Sequence, residues 1–99
     1  MIRKKAMPAS GKIRIAFTER QRDLLLDYTF ADDSYAKRLR ADKSSNKLFG
    51  EYSLEDLEDM LGFIAEGANH TETRRLEDQL DALYDKLEKV VTRYSPRRL

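Results

Sequence analysis

The sequence predicts a mainly α protein: a small helical domain with a C-terminal helical hairpin and room for a short two-stranded sheet. Three observations lead there. Leu54, Leu57, Leu61, Ile64 and Ala68 recur at steps of three or four. Leu76, Leu80, Leu83, Leu87, Val90 and Tyr94 alternate steps of four and three. Each segment therefore carries one apolar helix face. Upstream, Ile13, Ile15 and Phe17 alternate with Lys12, Arg14 and Ala16, the two-residue period of a half-buried strand.

Residues 1–11 contain Pro8, Ser10 and Gly11 and little to bury, so they read as a flexible basic arm. Residues 12–95 then form the single domain and 96–99 a basic tail. After the first strand, Thr18 offers a hydroxyl to cap a helix over 19–29, with Gln21 at the reciprocal position of a capping box. Asp32 or Asp33 opens a second helix over 34–41, where Tyr35 and Leu39 lie one turn apart. Residues 47–52 read as a second strand with Leu48 facing inward.

Ser53 and Asp56 cap a third helix over 54–67, and the crowded acids of its first turns suit the positive end of the helix dipole. Gly62 costs this helix about 1 kcal/mol relative to alanine, which implies close approach of another helix there. Gly67 ends the helix in the left-handed conformation, or Ala68 carries it on to Asn69; both endings stay open. The last helix spans 72–94 and stops before Pro96. Aligning Thr18 with Ser53 matches Ile13, Phe17, Gln21, Leu25 and Leu26 to Leu48, Tyr52, Asp56, Met60 and Leu61. Each half is a strand, a cap and an amphipathic helix, and two such strands would pair beneath the helices. The expected core is Leu57, Leu61, Ile64, Leu76, Leu80, Leu83 and Leu87.

A chain of 99 residues suits one domain. Charged residues make up 37% and mean hydropathy is −0.72, values that lean toward disorder, but the periodic apolar positions argue for folding. With no cysteine, disulfides and thiolate metal sites are excluded. The longest apolar-plus-glycine run, Met60 to Ala65, is far short of a membrane span, and no apolar stretch follows the basic start. The expectation is a cytoplasmic protein without membrane contact.

Net charge is +1, but the charge is segregated. Residues 1–22 hold seven basic and one acidic side chain, whereas residues 51–91 hold twelve acidic and four basic. Basic arms screening an acidic hairpin would account for this. So would an anion-binding arm built from Arg3, Lys4, Lys5, Lys12 and Arg14.

No phosphate-binding loop, dinucleotide glycine pattern, nucleophile elbow or zinc spacing is present. The acidic pairs on the last helix lie opposite its leucine stripe and read as a solvated face. His70, four residues after Glu66, lacks the further ligands a metal needs. The expectation is therefore a non-enzyme with no metal or cofactor. The preceding helix looks too short to cover the last one, leaving Leu87, Val90, Val91 and Tyr94 as a self-association seam. The functional reading is a protein acting through protein–protein contacts and homodimer formation. The alternative is a nucleic-acid-associated accessory protein that uses the basic arm.

The run from Leu54 to Leu87, roughly a third of the chain, resembles a short uncharacterised helical module of bacterial plasmid-type open-reading-frame proteins. Leu57, Gly62, Ala65, Ala68, Asn69, His70 and Thr71 carry the resemblance; Gly67 departs from the more helix-friendly residue expected there. The resemblance brings no activity. It implies only that Asn69 and His70, beside Glu66, form a polar junction or binding point between helices.

Overall fold

The computed structural model describes residues 11–94. Elements follow in the order β1 (Ile13–Phe17), α1 (Glu19–Tyr28), α2 (Asp33–Lys37), β2 (Arg40–Ala41), β3 (Leu48–Tyr52), α3 (Leu54–His70) and α4 (Arg74–Tyr94). The mainly helical class, the C-terminal helix pair and the small sheet all match the sequence reading.

β1 and β3 pair antiparallel, with Ile13 opposite Tyr52, Ile15 opposite Gly50 and Phe17 opposite Leu48. Both strands feed a capping box: Thr18 with Gln21 opens α1, and Ser53 with Asp56 opens α3. Ile15 and Gly50, equivalent in the internal alignment, are also cross-strand partners. The two strand-and-cap units are therefore related by a local two-fold through that pair.

A third strand corrects the two-stranded expectation. Residues 40–41, expected to be helical, instead pair with β3, Arg40 opposite Phe49 and Ala41 opposite Leu48. Burial of Leu39 ends α2 early: the side chain turns into the core, and its N–H closes a last tight turn onto the Ala36 carbonyl at 3.1 Å. The chain leaves the helix extended along the open edge of β3, whose backbone groups need partners. The sheet order is β1-β3-β2.

α3 runs past Gly67 to His70 and is capped by Thr71. The close approach expected at Gly62 falls at Gly67 instead, and of the two endings left open the helix takes the longer. A Cβ at Gly62 would meet nothing within 4 Å, whereas one at Gly67 would lie 2.5 Å from the Tyr28 carbonyl oxygen. Gly67 is thus the site of close approach, between α3 and the end of α1.

The longer α3 also changes the fate of the proposed seam. Counting outward from the 71–73 link, Leu54 lies level with Val90 of the antiparallel α4. Leu87 and Val91 are fully buried within one chain and join a cluster with Leu24, Leu57 and the inner sheet face. They offer nothing to a second copy; Val90 and Tyr94 are half-buried against the same core. Leu76, expected inside, is only partly buried, because it sits in the first turn of α4 beside the link. The other six expected core positions are buried.

α4 is tied to the first unit by polar contacts. The Lys86 ammonium donates to the Ala16 carbonyl and, at 2.9 Å, to Gln21 Oε1, and lies 5.1 Å from the Phe17 ring centre. Burial pushes its pKa down, with Lys47 adding to the effect. Arg20 donates to Gln79 at 2.8 Å farther along.

Candidate functional site: the outer face of the sheet

The helices cover one face of the sheet. The period of two that buries Ile13, Ile15, Leu48 and Tyr52 turns Arg14, Ala16, Phe49, Glu51 and Arg40 to the other side. An open depression of about 760 Å³ lies there, with Lys12, Arg14, Arg38 and Arg40 against the carboxylates of Asp42 and Glu51.

These groups differ in how far they are already engaged. Arg38 is committed to the fold. Its Nη1 donates to Asp56 Oδ2 at 2.8 Å and to the Glu51 carbonyl at 3.1 Å, and its guanidinium lies over Tyr35 and Tyr52. Burial works against the charge on Asp56, but the bonds from Arg38 and Ser53 outweigh it and hold the carboxyl below the usual carboxylate range. The Tyr52 hydroxyl donates to the Tyr35 carbonyl at 2.6 Å. Burial pushes its pKa up to about 12, with Arg38 opposing and Asp56 reinforcing.

Asp42 is likewise occupied, as the acceptor in its own turn. It takes Ser44 N at 3.3 Å and both the Ser44 and Ser45 hydroxyls. Its carboxyl is held below the usual range, first by the bond from the Ser44 backbone and then by the Ser44 hydroxyl.

Arg14 and Arg40 are different. Glu51 faces Arg14 directly across the strands, yet no ion pair joins them among the described residues. The Arg14 guanidinium sits over the Phe49 ring instead, 4.1 Å from its centre. Arg40 uses only Nη1, donating to the Lys37 and Leu39 carbonyls at 2.7 and 3.0 Å. A guanidinium has five N–H donors, so both side chains hold donors in reserve around an aromatic ring.

Of the sequence-predicted arm, Lys12 and Arg14 reach this face, while Arg3, Lys4 and Lys5 lie outside the described residues, as does the tail 96–99. Phe49 carries no functional reading in the sequence, although the alternation that turns Leu48 inward turns it outward. Arg40 belongs in the sequence to the short basic helix expected over 34–41, not to a strand facing Phe49.

Of the other predicted point, Glu66 and His70 meet on one exposed face of α3, His70 Nε2 standing 4.0 Å from Glu66 Oε1, and Asn69 is exposed on the same turn. His70 alone borders a notch of about 230 Å³ with Tyr28, Phe30 and Leu76. No group of three or more metal-ligating side chains is assembled among the described residues. No described helix is long and apolar enough to cross a membrane. No family model matches the chain, and no curated protein or solved structure matches it either.

Proposed function

We propose that this protein is a non-enzymatic, cytoplasmic nucleic-acid-associated accessory protein that binds its partner on the outer face of the sheet. One observation carries the reading. Arg14 and Arg40 flank Phe49 on that face, and Arg14 rests on the ring rather than on the carboxylate across from it. Charge and aromatic surface side by side suit phosphates and bases together, and Lys12 borders the same depression.

Fluorescence anisotropy of a labelled oligonucleotide against salt tests this. Each phosphate neutralised on a single strand adds about −0.7 to the slope of log affinity against log salt. Arg14→Gln combined with Arg40→Gln should weaken binding and flatten the slope by about 1.4. An absence of binding at low salt and high micromolar protein would overturn the proposal.

A second reading, contact with another protein, is supported by the end of α1. Phe30 is 73% exposed beside the half-exposed Tyr28, and Leu26 stands out one turn earlier. Phe30→Ser should abolish any concentration-dependent mass seen in sedimentation. A wild-type mass constant at 11.6 kDa over a hundredfold dilution would remove self-association by this route.

A further inference from the structure

We infer that the partner is single-stranded and that one unpaired base joins the stack formed by Phe49 and the Arg14 guanidinium. The inference rests on the nucleic-acid reading of this face and goes further by naming the form of nucleic acid and the residues that select it.

Width and shape argue for a single strand. Three strands spaced about 4.8 Å apart present a strip about 10 Å across, enough for one sugar–phosphate chain. Groove reading of a duplex needs a helix or ribbon that projects basic residues. Among the described elements, α3 carries five acids and no lysine or arginine, the five basic side chains of α4 are matched by five acids, and α2 has five residues.

Chemistry argues for stacking. Arg14 lies 4.1 Å from the ring centre, close to the contact distance of stacked planes. A base added there meets a surface already held in place. Ala16, directly opposite Phe49, is too small to screen the ring from the β1 side. Arg40, opposite Phe49 on the other strand, is placed to meet the adjoining phosphate. Bases are read this way on aromatic rings and on guanidinium planes when they are not paired.

Two substitutions separate stacking from charge. Phe49→Leu keeps an apolar side chain of similar bulk and removes the π surface. Arg14→Lys keeps the charge and removes the planar group. The full-length protein would be titrated with a labelled single-stranded oligonucleotide, the same sequence as duplex, and inorganic polyphosphate as competitor. Wild type should bind the single strand more tightly than the duplex. Each variant should lose at least about fivefold in single-strand affinity, with the salt slope and polyphosphate competition unchanged. Wild-type affinity in both variants, or a duplex bound as tightly as the single strand, would overturn the stacking inference and leave a purely electrostatic site. Failure of the wild type to bind any oligonucleotide would instead remove the nucleic-acid reading itself.

Discussion

Replacing Gly67 by alanine sets two effects against each other inside one helix. Alanine is favoured over glycine in a helix interior by about 1 kcal/mol. Against this, the new Cβ would sit 2.5 Å from the Tyr28 carbonyl oxygen. That neighbour is backbone at the end of α1, not a side chain that can swing away. Relief requires α1 and α3 to separate, and overpacking of this kind costs about 1–3 kcal/mol. The helix gain offsets part of that cost, so a net loss of up to about 2 kcal/mol is expected.

Gly62→Ala supplies the control five residues away. There the Cβ meets open space on the exposed face of the same helix, so only the propensity gain remains, about 0.5–1 kcal/mol of added stability. Urea denaturation followed by circular dichroism should move the midpoint down for Gly67→Ala and up for Gly62→Ala, with unchanged m values. The corresponding shifts in Tm are about 4–8 °C per kcal/mol for a domain of this size. A stabilising Gly67→Ala would mean that α1 does not rest on α3 as described.

Val91→Asp buries a carboxylate among core side chains and should unfold the single chain, not dissociate an oligomer; native circular dichroism in that variant would contradict the burial. Asp56, with its pKa held down in the fold, stabilises the protein above the unfolded carboxylate pKa of about 3.9. That contribution disappears as pH falls through the lower folded value, so Asp56→Asn should flatten the acid limb of the stability curve, and an unchanged limb would reject the assignment. Tyr52 behaves in the opposite sense: its raised pKa gives stability that is full below about pH 10 and is lost as pH rises toward about 12. Tyr52→Phe should remove that alkaline loss and cost about 1 kcal/mol at neutral pH through the missing bond to the Tyr35 carbonyl. Ultraviolet titration finding every tyrosine ionised near pH 10 would refute it.

What could be read from the chain without its fold was whatever depends on near neighbours. The capping boxes at Thr18 and Ser53 lie within four residues of chain, and both formed as read. The apolar steps of α3 and α4 named most of the core, because a helix repeats its face every turn. The strand–cap–helix echo even foreshadowed the pairing of β1 with β3.

Apart from that strand pair, contacts between segments distant in sequence were not legible. Arg40 scores as helical locally, and the unpaired edge of β3 pulled it into the sheet. Gly62 and Gly67 look alike in sequence; only the position of the Tyr28 carbonyl tells a dispensable glycine from a necessary one. Leu87 and Val91 looked uncovered because the reach of α3 turned on its last turn, from Gly67 to His70. The candidate site has the same origin. Arg14, Arg40 and Phe49 come from three strands, and no periodicity along one strand reports what stands across from it. Pairing free energy belongs to the assembled sheet, so the face those residues share exists only once the chain has folded.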